Sequence, residues 1–364
     1  MITLDGREFM RLVNIRYVVE GSVLARPVIN SSGTVLLQAG VRVTASYIER
    51  LMDMGFDVLF IEDDRLEDVE FHRSITGRTR ETAYKTIENV SKYIECGQDS
   101  CLEATSVRTT VKQMINDLLF SADVLGNLTE IQGYDDYTFH HSVNTTIIGL
   151  LLGLAAGYSN GKLLEFGMGV LMHDIGKIKV PEEILNKKAP LTGAEFEEIK
   201  QHPTYGFDIL RKNNDFSILS AHVAFQHHEK WDGSGYPRGL IGSEIHEYGK
   251  LVAIADVYEA LTSKRVYRKA IEPNVAYEYV VSQSNQHFDP QVLEVFKRHI
   301  AVYPSSSGII LSNGQRGNVV KQNPAFPNRP IVRVFYENEE PLACPIDYNL
   351  AEYPSIMIAA VDNR

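Results

Sequence analysis

Cysteine is scarce in this sequence of 364 residues, which contains Cys96, Cys101 and Cys344. An odd number of scattered cysteines does not provide a disulfide framework and is typical of proteins in a reducing compartment. The first residues, from Met1 to Gly6, also lack the basic and then apolar order of a signal peptide. We therefore expect a cytoplasmic protein without a disulfide framework.

Long hydrophobic runs and an excess of positive charge are also missing. The most apolar run, from Ile147 to Ala156, is shorter than the roughly 20 residues that span a bilayer, and we predict that it is a buried core helix. The 36 basic and 47 acidic residues leave a formal net charge of −11. This charge argues against a general attraction to nucleic acid polymers or anionic membranes, so an anionic substrate would have to be held by local cations.

One stretch, from His173 to Asp256, concentrates side chains that bind metal ions. Histidines and aspartates stand there beside apolar residues, glycine or proline, at His173, Asp174, His202, His227, His228 and Asp256. Asp256 follows an apolar run, and a carboxylate in a core requires a cation or several hydrogen bonds. A single histidine is usually a hydrogen-bonded core or surface residue, but this combination predicts a divalent metal site.

The adjacent residues His227 and His228 raise a geometrical question, because neighbouring side chains on a helix diverge by about 100°. Both imidazoles can bind metal if two ions share the site, or if the helix ends at this pair. Gly233 and Gly235 follow closely, and glycine accepts the backbone angles at which helices end.

These motifs, in this order, resemble those of the HD-GYP family of bacterial phosphodiesterases. The resemblance covers about residues 134 to 325 and rests on His173-Asp174, Gly176-Lys177, His202-Pro203, His227-His228-Glu229, Asp232-Gly233 and Gly235-Tyr236-Pro237. It implies a mainly α protein with an all-helical HD-type catalytic core. It also implies a metal centre and the hydrolysis of cyclic di-GMP to pGpG, GMP or both.

We predict four segments along the chain. They are a small N-terminal α/β regulatory module at residues 1–75, a helical linker at 76–130, the HD-GYP catalytic domain at 131–303 and a small β-rich C-terminal appendage at 304–364. The module is expected to contain a hairpin around Asn30 to Gly33. Two apolar stripes in the linker, from Tyr84 to Ile94 and from Val111 to Leu119, are either packing surface or the dimerisation seam of a homodimer.

The resemblance implies a set of metal ligands with Asp174 as the bridging carboxylate and a catalytic residue. The set is His141, His173, Asp174, His202, His227, His228 and Asp256. Relatives that hold a third metal have a glutamate four residues before the position of His141, where this chain has Tyr137, so we expect two divalent ions. Mixed imidazole and carboxylate ligands suit iron or manganese without excluding zinc or nickel.

The resemblance also assigns residues to the substrate. Lys177 is expected to act in catalysis, by binding a nonbridging phosphate oxygen or by protonating the leaving 3′ oxygen. Arg265 and Arg268 are expected to hold the phosphates of the dinucleotide. Glu259 and Val266 depart from the aspartate and proline that the family commonly has at these positions.

Tyr236 is expected to contact the substrate by stacking or hydrogen bonding, or to shape the loop beside the site. In the family, the motif Gly235-Tyr236-Pro237 is also proposed to contact diguanylate cyclase domains. Three functions remain open: a cyclic dinucleotide phosphodiesterase, a receptor that binds cyclic di-GMP without hydrolysis, and an HD-type diiron oxygenase. For the phosphodiesterase, cyclic di-GMP is the expected substrate, and related cyclic dinucleotides are the alternative.

Overall fold

The computed structural model describes residues 9–29, 35–69, 74–97, 104–120, 137–187, 189–263, 270–362 and 364. Within these ranges the chain packs into two units. One unit contains the described residues of 9–69 and 300–364, and the other contains those of 74–120 and 137–299. The predicted fold class is confirmed, because a helical unit is accompanied by short strands near both ends of the chain.

The N-terminal part of the first unit is a small α/β arrangement. Its elements are β1 Met10–Asn14, β2 Val28–Ile29, β3 Val35–Leu37, α1 Ala45–Asp53 and β4 Val58–Glu62. Strand β1 pairs antiparallel with β4, with Leu12 opposite Phe60, and β2 pairs antiparallel with β3. Helix α1 begins where Thr44 accepts a hydrogen bond from the Tyr47 amide, and it ends just before Gly55, whose φ is +89°.

The C-terminal part of the first unit is an antiparallel sheet with the strand order β8-β7-β6-β5-β9. The strands are β5 Gly308–Leu311, β6 Arg316–Lys321, β7 Ile331–Glu337, β8 Glu340–Asn349 and β9 Ile358–Val361. Apolar runs predict all of these strands except β8. That strand is mostly exposed and contains Pro341 and Pro345, which an edge strand tolerates because one side of its backbone faces no neighbour.

The N-terminal and C-terminal parts of the first unit share a hydrophobic cluster. Met10, Leu66 and Val69 pack against Val320 and Phe335, and all five side chains are buried. Residues that are far apart in the sequence therefore form one core. The division of this unit into a regulatory module and an appendage with separate functions stays a prediction.

The second unit is built from helices. They are α2 Gly77–Glu95, α3 Ala104–Phe120, α4 Tyr137–Ala155, α5 Asn160–Leu171, α6 Glu182–Leu185, α7 Gly193–Ile199, α8 His202–Leu210, α9 Ile218–Gln226, α10 Glu247–Thr262, α11 Pro273–Ser282 and α12 Pro290–His299. Helix α4 packs against α5 and α10, and α9 packs against the same two helices on the other side. The apolar run that starts at Ile147 lies in α4 as far as Ala155 and is buried from Ile147 to Gly153, as predicted, whereas Ala156 follows the helix and is exposed. None of the described helices combines the length and the apolar character that a membrane span requires.

Helices α2 and α3 use their apolar stripes for packing within this unit. Ile87 and Val90 of α2 and Val111 and Ile115 of α3 belong to the same buried cluster as the apolar residues of α4. Leu119, at the end of the second stripe, is exposed. The packing alternative therefore accounts for most of both stripes.

Candidate metal centre

Helix ends supply most of the predicted metal ligands. They are His141 in α4, His173 and Asp174 after α5, His202 at the start of α8, His227 and His228 after α9, and Asp256 in α10. All of them are buried except His228, which is partly exposed. Helix α9 ends at Gln226 and His227 is its C-terminal cap, so the adjacent histidines lie at the helix end, and both imidazoles belong to one group of donor atoms.

Backbone carbonyl groups fix the orientation of three of these imidazoles. In His173, His202 and His227, Nδ1 lies 2.8, 2.7 and 2.8 Å from the carbonyl oxygen of the residue three positions earlier. A carbonyl oxygen only accepts, so Nδ1 carries the hydrogen and Nε2 of the neutral ring presents its lone pair. A backbone acceptor at the second nitrogen is typical of metal-binding histidines.

The Nε2 atoms converge in pairs. Nε2 of His202 lies 3.1 Å from Nε2 of His227, and Nε2 of His173 lies 3.2 Å from Nε2 of His141. When both rings of the first pair are neutral, both atoms present lone pairs, so neither can donate a hydrogen bond to the other. Facing lone pairs repel each other, and a cation between them removes the repulsion. These imidazoles therefore fit a divalent metal ion.

Asp174 lies between the two imidazole pairs. Its Oδ1 is 3.4 Å from Nε2 of His202 and 3.6 Å from Nε2 of His227, whereas its Oδ2 is 3.5 Å from Nε2 of both His141 and His173. Oδ1 is buried and accepts no hydrogen bond from the described residues. A buried carboxylate oxygen without a donor is costly unless a cation compensates its charge.

Within the described ranges, the donor atoms form two groups that share Asp174. One group contains Asp174, His202, His227 and His228, and the other contains His141, His173 and Asp174; the atoms of each lie within 4.8 Å of one another. Asp256 adds a carboxylate near both groups. Its Oδ1 is 3.0 Å from Nε2 of His141, and its Oδ2 is 3.9 Å from Nδ1 of His228.

Glu259 is a buried functional candidate that the sequence motifs did not indicate. Its carboxylate is in direct contact with Nδ1 of His141, and it also accepts hydrogen bonds from Ser263 Oγ at 2.5 Å and Asn144 Nδ2 at 3.3 Å. A carboxylate behind a histidine orients the ring and increases its basicity. One sequence signal was available, because residues three apart on a helix are neighbours and Glu259 follows Asp256 at that spacing.

Burial and charge shift the pKa values of these imidazoles in opposite directions. Burial lowers the pKa of His173 to about 4 and also lowers the pKa of His202 and His228. Burial acts to lower the pKa of His141 as well, but the neighbouring carboxylates of Glu259 and Asp256 raise it to about 10. The surroundings of His141 therefore favour positive charge at this point of the centre.

Lys177 contacts the carboxylate that the two donor groups share. Its Nζ lies 2.5 Å from Oδ2 of Asp174. Burial acts to raise the pKa of Asp174, but this ammonium and the nearby imidazoles hold the pKa well below its usual range. The carboxylate is therefore ionised, as metal binding requires.

The loop that contains Tyr236 lies against the donor groups. The Tyr236 ring stacks on the His228 ring with centroids 4.7 Å apart and an angle of 29° between the planes. The loop is held by Glu229, a buried carboxylate that accepts hydrogen bonds from the amides of Arg238 and Leu240, each at 2.9 Å. Glu229 is a second residue to which the motifs assigned no role.

Three residues that the predictions involve lie wholly or partly outside the described residues. Arg265 and Arg268 lie outside the described residues, and so does the side chain of Tyr137. His140, the neighbour of His141, is not among the predicted ligands, and its ring lies against that of Tyr84, with centroids 4.2 Å apart. It belongs to neither donor group.

Comparison with known proteins identifies similar sequences. A model of the HD domain matches residues 135–292. The cyclic di-GMP phosphodiesterase PA4108 of Pseudomonas aeruginosa is 31% identical over 256 residues, which cover 70% of this chain and 62% of that protein. A cyclic di-GMP phosphodiesterase of Thermotoga maritima is 41% identical over 184 residues, which cover 50% of this chain and 49% of that protein. The matched residues thus span 62% and 49% of the length of these two relatives.

Two further similarities concern the substrate class and the fold. A 3′3′-cGAMP-specific phosphodiesterase of Vibrio cholerae is 38% identical over 129 residues, which cover 35% of this chain and 25% of that protein. The solved structure of Bd1817, an HDG"Y"P protein from Bdellovibrio bacteriovorus, matches with a TM-score of 0.50 at 17% identity and covers 79% of this chain and 97% of that chain. At this level of identity the structural likeness supports the fold alone.

Proposed function

Because this chain belongs to the HD-GYP family of HD domain proteins, we propose that it is a metal-dependent phosphodiesterase that hydrolyses cyclic di-GMP to pGpG, GMP or both. The observation that carries the proposal is the pair of donor groups that share Asp174. The names of the similar proteins support the substrate class.

We assign the donor atoms to two divalent ions. His202, His227 and His228 would bind one ion together with Oδ1 of Asp174, because these atoms form one group. His141, His173 and Asp256 would bind the second ion together with Oδ2. The mixture of imidazole and carboxylate donors suits iron or manganese.

The reaction needs charge neutralisation because a phosphodiester is anionic and has a poor leaving group. Bound divalent ions supply Lewis acidity, which neutralises phosphoryl charge and lowers the pKa of water toward neutrality. Asp174 links the two donor groups through its two carboxylate oxygens. Glu259 keeps the His141 ring oriented through Nδ1.

Lys177 is a described cation that lies against the carboxylate shared by the two donor groups. Its ammonium holds a proton at Nζ, 2.5 Å from Asp174 Oδ2. From this point it is available either to bind a nonbridging oxygen or to protonate the leaving 3′ oxygen. The phosphate contacts proposed for Arg265 and Arg268 concern residues outside the described ranges.

Several finer expectations stay predictions. They include a stacking or shaping role of Tyr236 toward the substrate, docking of diguanylate cyclase domains on Gly235-Tyr236-Pro237, a homodimer and a cytoplasmic location. The stacking of Tyr236 on His228 supports the first of them, because it fixes the ring at the edge of the donor groups.

Product analysis after anaerobic reconstitution with Fe²⁺ or Mn²⁺ tests the proposed function. The protein is incubated with cyclic di-GMP and, in parallel, with 3′3′-cGAMP, and the nucleotide products are separated by chromatography. We expect metal-dependent formation of pGpG or GMP from cyclic di-GMP. Faster hydrolysis of 3′3′-cGAMP would instead assign the enzyme to the related substrate.

Two other outcomes would reject the phosphodiesterase assignment. Tight binding of cyclic di-GMP without product, in protein with full metal content, would identify a receptor. Metal-dependent O₂ consumption without hydrolysis of either dinucleotide would identify an oxygenase.

A further inference from the structure

A cavity in the first unit carries an unusual concentration of arginine. It has a volume of about 250 Å³, and among the described residues its wall includes Arg11, Arg65, Arg316 and Arg364. All of these residues belong to the unit that is separate from the metal centre. Guanidinium groups recognise phosphate and carboxylate because their planar donors match two oxygen atoms.

Aspartates hold these arginines in two pairs. Asp63 accepts from Arg65 at 2.6 Å and lies 3.1 Å from Arg11. Asp362 lies 2.5 Å from Arg316 and 3.0 Å from Arg364. Each pair of arginines thus shares a single aspartate. That aspartate compensates one of the two positive charges in its pair and leaves the other.

The exposed carboxylate of Glu339 occupies the rim of the cavity. Its Oε2 lies 2.6 Å from Arg316, and its Oε1 lies 3.9 Å from Arg364. The side chain is 69% exposed, so solvent and solutes can compete for these arginines. Glu339 therefore marks a position where the cavity already accepts an anionic group.

The backbone around Glu339 gives an independent reason to regard this carboxylate as functional. Asn338 and Glu339 connect β7 to β8 with φ values of 49° and 69°. A hairpin turn with two positive φ values favours glycine at its second position, and glutamate there is conformationally strained. The contact of its carboxylate with Arg316 offsets this strain.

Size and surroundings indicate the class of ligand. Pockets for drug-sized molecules usually have about 300–1,000 Å³, so the cavity is too small for a cyclic dinucleotide. Tyr336 is flanked by the guanidinium groups of Arg65 and Arg316, each with its carbon 5.7 Å from the ring centroid. Both guanidinium groups are thus in cation–π contact with the same ring on the cavity wall.

We propose that this cavity binds a small phosphate monoester, whose phosphate group replaces the Glu339 carboxylate between Arg316 and Arg364. Arg316 and Arg364 carry two positive charges against the single negative charge of Asp362, and a phosphate group compensates the remaining charge when Glu339 moves away. The site is distinct from the metal centre, and it gives the first unit a binding function of its own.

Calorimetric titration of the metal-loaded protein tests the proposal, with inorganic phosphate and ribose 5-phosphate as probes. Phosphate that binds at the metal centre also contributes to the measured heat. This contribution is the same in the wild type and in all variants of the first unit. We expect Arg316→Gln to weaken the additional component by about ten- to a hundredfold, because a charge-assisted contact is lost. Glu339→Gln should strengthen it, because the competing carboxylate loses its charge.

Arg333→Gln is the matched control. Arg333 is 13% exposed and pairs with Asp68 and Asp347, much as Arg316 is 14% exposed and pairs with Glu339 and Asp362, but Arg333 lies outside the cavity wall. We expect this variant to bind both probes like the wild type. Equal weakening in Arg316→Gln and Arg333→Gln, or unchanged binding in Glu339→Gln, would overturn the proposal. Glu339→Gln keeps the test decisive even if Arg316→Gln does not fold.

Discussion

At the scale of single residues, the candidate metal centre contains polar atoms that lack an interaction partner unless a cation is bound. Oδ1 of Asp174 is buried without a hydrogen-bond donor, and two imidazole nitrogens that carry lone pairs face each other beside it. An apolar or fully hydrogen-bonded core would contain neither feature. The residues around Asp174 therefore fit a cation site better than a structural polar network.

Asp174→Asn should abolish turnover and lower the metal content together. The amide keeps the size of the side chain but removes the charge that both donor groups share, so repulsion between two bound ions is no longer compensated. Metal analysis and the product assay measure the two effects. Asp232→Asn is the control, because Asp232 lies in the same motif region but hydrogen-bonds Ser234 and belongs to neither donor group. Full activity in a metal-replete Asp174→Asn protein would contradict the bridging role.

Glu259→Gln should weaken metal binding by about ten- to a hundredfold, which is the usual effect of losing a partner behind a metal-binding histidine. Glutamine retains an oxygen that can accept from Nδ1 of His141 but loses the charge. Competition with a chromogenic chelator measures the affinity. Glu165→Gln serves as control, because Glu165 accepts a hydrogen bond from Tyr248 and belongs to neither donor group. Wild-type affinity in Glu259→Gln would show that the contact only fills space.

Lys177→Ala should lower turnover while the metal content stays near that of the wild type. The ammonium competes with a divalent ion for Oδ2 of Asp174, so its removal does not weaken metal binding. Its interaction with phosphoryl or leaving-group charge strengthens in the transition state, so the rate should fall more than the substrate affinity. Single-turnover kinetics beside equilibrium binding separate the two quantities. Loss of metal in this variant would mean that Lys177 supports the centre and does not act on the substrate.

At the scale of elements, the centre requires close approach of the 3₁₀ helix Ile175–Lys179 to α8. A Cβ atom at Gly176 would overlap the carbonyl oxygen of His202 and the amide nitrogen of Gly206. These are backbone atoms, so they cannot yield by changing a rotamer. The glycine therefore sets the distance between the segment that carries Asp174 and the helix that begins at His202.

Gly176→Ala should lower both thermal stability and metal affinity, because relieving the overlap moves Asp174 away from His202. Gly161→Ala in α5 is the matched control, because a Cβ there meets no atom within 4 Å. Alanine is a better helix former than glycine by about 1 kcal/mol, so the control should be neutral or slightly stabilising. Thermal unfolding with and without added Mn²⁺ measures both effects. If Mn²⁺ raises the melting temperature of the Gly176→Ala protein as much as that of the wild type, the close approach of the two segments is not needed for metal binding.

At the scale of the whole molecule, the described residues combine the helical second unit with the first unit, which is built from both ends of the sequence. The first unit depends on charged contacts as well as on its hydrophobic cluster. Burial acts to raise the pKa of Asp63, but hydrogen bonding and charge from Arg65, together with the charge of Arg11, lower it below its usual range. The contribution of the ionised Asp63 carboxylate to the free energy of unfolding therefore depends on pH.

A lowered pKa in the folded state means that Asp63 stabilises the fold above its unfolded pKa, which is about 3.9. The contribution is lost as the pH falls through the lower, folded value. Asp63→Asn should therefore reduce the melting temperature at pH 7, and the difference from the wild type should shrink below about pH 4. Asp53→Asn, at an exposed position of α1, should show no such trend. A pH-independent difference for Asp63→Asn would reject the electrostatic explanation.

The sequence by itself determined the helical core and the side chains that surround Asp174. These properties are local: the run from Ile147 predicts a buried helix from its own composition, and short motifs contain His173-Asp174 and His227-His228 together. Residue type and near neighbours decide such features, so a single chain is enough to read them. The edge strand β8 was not predicted, because its exposed and proline-containing sequence lacks the alternation that marks a half-buried strand.

Only the tertiary structure decided which atoms meet. Glu259 contacts His141 across 118 residues of sequence, and each oxygen of Asp174 faces a different pair of histidines. Met10 packs with Phe335, and the arginine cavity joins Arg11 to Arg316. Such contacts depend on how every intervening element packs, and a change in one helix end or strand register alters them. No local pattern records that outcome, because the free energy of a long-range contact is set by the whole fold.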